Sequence, residues 1–318
     1  MFSIRPALSL FTLLLFCLSC SPLFAQDDLM SMLEEEADAS DDSRVYATFK
    51  TMKAVNLHTI EMVKKKSLDF RVTHRFGNMG SASGGGVHNL WGFDNSDDIR
   101  ISFDYGITED LQVGFGRSKR NELIDASVKY RILAQTSKKM PISLVALVNF
   151  GFTPQQDLRG FYGSVAGQGS NANRMNYLHQ LIIARKFGER LSLELLPTHI
   201  YQNLAIKDNS GEDTHSIVAM GCAARIKLTQ RVAIIADYAY IASDYRRNHS
   251  ERSFQDPLGV GIEVETGGHV FHLTLTNAAG IVENNFLLNT TDDWRQGGVK
   301  MGFNISRVFN LNFAGGVH

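Results

Sequence analysis

A side-chain period of two, repeated segment after segment, restricts the fold of this chain more than any other feature. From residue 258 the sequence reads LGVGIEVETGGHVFHLTLTN. Leu258, Val260, Ile262 and Val264 alternate with Gly259, Gly261, Glu263 and Glu265. A Thr266-Gly267-Gly268 turn reverses the chain, and Phe271, Leu273 and Leu275 then alternate with His272, Thr274 and Thr276. Alternation on both sides of a glycine turn is the pattern of an antiparallel hairpin. The plan recurs from Leu68 to Phe76, Ile99 to Tyr105, Leu111 to Phe115, Ile124 to Ile132, Met175 to Phe187, Leu191 to Gln202, His215 to Leu228, Val232 to Ala242 and Val299 to Ile305. From Ile142 to Phe152 both faces are apolar, so the orientation of that segment stays open. Val45 to Thr51 and Val55 to Glu61 read as two short strands, or as one long bent strand.

Such a chain is all-β, and its loops say which kind. Short turns fall near residues 64, 107, 136, 189, 230 and 267, and alternate with longer links at 77–97, 153–174, 204–214, 243–257 and 277–296. Transmembrane barrels of the outer-membrane type have short periplasmic turns and long outer loops. A tilted membrane strand needs about 9–11 residues, which most of these segments supply. A soluble β-sandwich is the rival, but it needs strands of only about 5–6 residues and no such asymmetry. The expected fold is therefore a single antiparallel transmembrane β-barrel of about 14 strands, with 12 as the alternative, because outer-membrane barrels favour even numbers.

The amino terminus reads as an export signal. Arg5 precedes an apolar run from Ala7 to Leu18, Pro22 breaks it, and Leu23-Phe24-Ala25 suits cleavage before Gln26. Lipoprotein processing at Cys20 is the competing reading. No other run reaches the roughly 20 apolar residues of a spanning helix. Cleavage leaves Cys222 as the one cysteine, so internal disulfides are excluded. Residues 26 to 42 carry eight acidic side chains and no Lys or Arg. The expected organisation is a signal peptide at 1–25, an acidic leader at 26–43, a barrel at 44–313 and a tail at 314–318. The leader is a spacer, or a docking point for a periplasmic protein.

The polar faces of the strands carry ionisable residues at mid-strand: Asp69, Arg71, Arg75, Arg100, Asp104, Asp125, Lys129, Arg131, Glu194, Arg225, Lys227, Asp237, Glu263, Glu265 and Lys300. A charge facing lipid at the midplane costs about 2–4 kcal/mol. These residues are therefore expected to line the lumen. There they either set the selectivity of a pore or form a salt-bridged filling, since 12 to 14 strands lie between filled small barrels and open porins.

The segments ATFKTMKAVNLHTIE, LDFRVTHRFG, FDYGITEDLQVGFGRS, HQLIIARKF, ETGGHVFHLTLTN and GFNISRVF resemble an exported β-barrel family, domain-of-unknown-function family 5777. The resemblance spans about Ala47 to Phe309 and implies an outer-membrane-type barrel. It assigns no substrate and no catalytic residue.

Catalytic and metal signatures are absent from the sequence: it has no phosphate-binding loop, nucleophile elbow, zincin helix or paired-cysteine motif. His269 and His272 are three apart, which places them on opposite faces of a strand. The expected protein is an outer-membrane channel or transport component for small solutes, without cofactor, nucleic acid or enzymatic activity. Its surroundings are outer-membrane lipid, and its oligomeric state stays open. The alternatives are a non-transporting scaffold barrel and an enzyme with its site in the lumen.

Overall fold

The computed structural model describes residues 43–155, 171–205, 207–208, 210–267 and 269–311. The signal peptide, nearly all of the acidic leader, and the tail with Phe313 lie outside the described residues. From Arg44 onward the chain forms one compact unit. Its wall strands are β1 (Ser67–Asn78), β2 (Ser96–Gly106), β3 (Leu111–Ser118), β4 (Ile124–Leu133), β5 (Ser143–Phe152), β6 (Met175–Phe187) and β7 (Leu191–Gln202). A two-stranded ribbon, β8 (Lys207–Asp208) with β9 (Gly211–Glu212), stands in the next loop. The wall resumes with β10 (Ser216–Lys227), β11 (Val232–Ala242), β12 (Leu258–Thr266), β13 (His269–Thr276) and β14 (Lys300–Asn310).

Among the described residues these twelve wall strands pair antiparallel in chain order and close into a barrel. β1 closes against β14, from Ser67 opposite Asn310 to His74 opposite Phe303. Closure leaves no unpaired edge, which is how a sheet satisfies its backbone in a medium without water. No helix of the described residues is long and apolar enough to cross a membrane.

Alternation sorts the side chains as the sequence implies. Phe103, Phe115, Val128, Leu195, Met220, Ile262 and Leu273 are exposed, whereas Asp69, Arg75, Asp125, Lys129, Asp237 and Glu263 are buried. That is the reverse of a soluble protein and is the arrangement expected with hydrocarbon outside. Aromatic rings mark both ends of the wall. Phe150, Tyr177 and Tyr201 form a row of tilted ring contacts at the long-loop end. Phe187 and Phe309 stand at the short-turn end, each under an arginine, Arg185 and Arg307.

The structure corrects the count of about 14 strands to the alternative of 12. The segments from Val45 to Thr51 and from Val55 to Glu61 are not wall strands. They form an irregular run of bends with one isolated bridge, Lys53 opposite His58, and the part from Thr48 onward is mostly buried. The physical reason is composition. ATFKTMKAVNLHTIE has no polar face of period two, so it offers neither a lipid face nor a ladder partner, and it packs inside the barrel instead.

Candidate functional site

The barrel lumen is the candidate site, and its contents come from two directions. Residues 44–66 enter at the short-turn end. Arg44 pairs with Asp110 at 2.8 Å, the Val45 N–H donates to the Gln135 carbonyl, and Lys50 reaches Glu265 at 3.0 Å. The segment climbs to a turn at Ala54–Leu57 and descends to Lys66, where β1 begins. From the long-loop end, the link between β13 and β14 folds inward. Its short helix Glu283–Asn289 buries Glu283, Asn284, Asn285, Phe286, Leu287 and Leu288.

The wall holds the entering segment mainly by its main chain. One Asp237 oxygen accepts the N–H groups of Val55, Asn56 and Leu57 at 3.0, 2.5 and 2.9 Å, and the other takes the Asn56 amide at 2.7 Å. Glu194 accepts the N–H of Ile60 at 3.1 Å and Gln112 that of Val63 at 2.8 Å. In the other sense, Lys129 donates to the carbonyls of Thr59 and Glu61 at 2.6 and 2.5 Å. Arg75 donates to Ala278 O at 2.5 Å and Val55 O at 3.4 Å. Each bond satisfies a peptide group that would otherwise be buried unpaired. Two inward-facing glycines make room for the turn. A Cβ on Gly259 would stand 2.5 Å from Val55 Cγ1, and one on Gly221 would stand 2.9 Å from Leu57 Cδ1.

The two inserts meet at one buried cluster. Lys53 Nζ lies 2.6 Å from Glu283 Oε2, while Glu283 Oε1 accepts the His58 N–H at 2.8 Å and faces His58 Nδ1 at 2.7 Å. Burial pushes His58 down to about 4, against the pull of Glu283. Burial also disfavours the Glu283 anion, but His58 and Lys53 outweigh it and hold this carboxyl well below the usual range. Burial lowers Lys53 as well, against the pull of Glu283, so the carboxylate faces Lys53 Nζ on one oxygen and the His58 main chain and ring on the other.

The lumen wall has two unlike sides. From β12 through β14 and on from β1 to β4, the inward positions are mainly polar residues and glycine, with Val270 and Val308 among the exceptions. Many of these pair within the wall: Arg71 with Asp69 at 2.9 Å, Arg100 with Asp125 at 2.6 Å, and Arg225 of β10 with Glu263 at 2.8 Å. His272 adds a contact to Glu263 at 3.2 Å. On β5, β6, β7, β10 and β11 the inward positions mix apolar with polar residues, and Val145, Leu147, Leu178, Ile182, Leu196 and Ile200 join one core with Phe49, Leu57, Ile60 and Phe286. This explains why the segment from Ile142 to Phe152 is apolar on both faces: one side meets lipid and the other meets the inserts.

The other ionisable positions singled out in the sequence lie as follows. Asp104 is half-buried and accepts from Gln112 at 3.1 Å, Arg131 and Lys227 are half-buried, and Glu265 holds Lys50. Lys300 is buried at the long-loop end, where it contacts Asp292, Asn78 and Asp97. Lys53, His58, Gln112 and Glu283 are not among the residues singled out from the sequence, and His272 figures there only as an excluded metal ligand. Their signal was indirect: inward glycines at 221 and 259, and a strand with no polar face.

The described residues hold no group of His, Cys, Asp and Glu suited to a metal. His199 Nε2 lies 2.7 Å from Ser216 Oγ, the spacing of a base and a nucleophile. That pair stands on the outer face beside His179, whose ring stacks on His199 at 5.6 Å. Cys222 is exposed on the same outer face of β10.

A family model described as "Membrane bound beta barrel domain (DUF5777)" matches residues 49–309. The match begins within the segment that fills the lumen. No curated protein matches the chain. Among solved structures it is similar to the NanC porin (9% identity, 76% of this chain and 98% of that one, TM-score 0.47). It is also similar to the KdgM porin (8%, 76% and 98%, TM-score 0.41) and to the Acinetobacter baumannii outer membrane protein Omp33 (8%, 77% and 99%, TM-score 0.41).

Proposed function

Since the chain belongs to the membrane bound beta barrel domain family DUF5777, we propose that it is an outer-membrane channel that passes small solutes and is shut at rest by its own N-terminal segment. The observation that carries this reading is the manner of closure. Residues 44–66 are covalently joined to the wall at one point, Ser67; inside the lumen they are held by side chains such as Asp237, Glu194 and Lys129, and at the short-turn end by main-chain bonds from Val45 to Gln135 and from Lys66 to Gly106. A segment of that kind can leave without breaking any pairing of the wall. Behind it lie Asp69, Arg71, Arg100, Asp125, Lys129 and Arg131, which would set selectivity along the opened path. The signal peptide and the loop asymmetry support the outer membrane as its location.

The filled lumen favours one other reading, a barrel that transports nothing and serves as a scaffold. Planar-bilayer recording separates the two. Wild-type protein is expected to stay silent, whereas Gly259→Val, which forces a side chain against Val55, and Asp237→Ala, which removes three N–H acceptor contacts, are expected to conduct. In the open variants, Arg100→Ala and Arg131→Ala should shift selectivity toward cations. Folded variants that remain silent would leave the scaffold.

A further inference from the structure

Building on the channel reading, we propose that the solutes of this barrel are short apolar peptides, for which residues 54–60 act as a built-in stand-in. Three observations converge. First, the ionisable groups of the wall bind the segment through peptide groups common to any chain: Asp237 and Glu194 take N–H groups, and Lys129 and Arg75 give protons to carbonyls. Such recognition does not depend on the segment's own side chains. Second, side-chain selection falls to the apolar side of the wall, where Leu57 and Ile60 pack against residues such as Leu178 and Leu196. Third, the wall is cut back to glycine where side chains of the segment come closest, at Gly221 beside Leu57 and at Gly259 beside Val55 and Asn56.

Withdrawal of the segment leaves two carboxylates without these N–H donors, Lys129 without its two carbonyl acceptors, Arg75 with Ala278 O but without Val55 O, and an uncovered apolar surface. A sugar answers the polar groups and leaves the apolar side bare. A hydrocarbon covers the apolar side and leaves the charges unpaired. A peptide with apolar side chains answers both.

The test is block of the ionic current through full-length Glu283→Ala, with Lys53→Ala as a second opening variant; both remove the Lys53–Glu283 pair and leave Gly221, Gly259, Asp237, Glu194, Lys129 and Arg75 in place. Folding of each is checked by heat-dependent mobility on gels. Three probes are compared: a heptapeptide copying residues 54–60 (AVNLHTI), the same peptide with serine at the positions of Leu57 and Ile60, and maltotriose. The expected result is half-block by the first peptide at a concentration at least roughly tenfold lower than for either other probe. Equal block by all three, or stronger block by maltotriose, overturns the peptide assignment while the current itself upholds the channel. Absence of current in both folded variants overturns the channel and the peptide assignment together.

Discussion

His58 and Glu283 make closure of the lumen sensitive to acid, and the direction follows from burial. In the docked segment His58 is held down to about 4, while a released histidine titrates near 6.5. The docked form therefore binds fewer protons, and falling pH favours release. Between about pH 7.5 and about pH 5 this weakens docking by about 2 kcal/mol. Limited proteolysis or hydrogen exchange over residues 44–66 should accelerate across that interval, and His58→Asn should flatten the dependence. None of this was legible in the sequence, where His58 is one of several scattered histidines. What gives it meaning is Glu283, 225 positions away.

At the level of single strands, the period-two pattern carries two different interiors. β1 to β4 and β12 to β14 turn mainly polar groups inward, while β5, β6, β7, β10 and β11 turn a mixture of apolar and polar ones inward, yet all keep a mainly apolar outer face. The outer face can be tested by depth. Leu195 lies mid-strand on β7 and Tyr201 near its long-loop end, and both are well exposed, at 53% and 41%. If that face meets hydrocarbon, Leu195→Arg costs about 2–4 kcal/mol and Tyr201→Arg about 0–1 kcal/mol, read from reversible unfolding in lipid vesicles. A water-facing wall would show small and similar costs at both. The strand boundaries were legible because alternation stops where the turns begin. The run from Val45 to Glu61 was misread because β-branched and apolar residues suit both a strand and a buried, irregular chain.

For the whole molecule, the prediction is detergent dependence. The protein should partition with membranes, require detergent for extraction, and run as a compact species on gels until heated, since a closed ladder has no edge at which to fray. Recovery as a soluble periplasmic protein would refute the membrane assignment. A continuous antiparallel wall and an apolar exterior are properties of local pattern: each strand declares its own two faces, and the order of pairing follows the chain because every connection is a hairpin-like link. The contents of the lumen are a different matter. That residues 44–66 enter the barrel, that Asp237 gathers three consecutive N–H groups, and that Lys53 meets Glu283 all depend on groups 180 to 230 positions apart. The amino-acid sequence thus determined the barrel by itself, because a periodicity of two is written into neighbouring residues. Only the tertiary structure decided that the barrel is filled and what fills it, because those contacts arise after closure, when buried charges must find whichever peptide groups the enclosed chain presents.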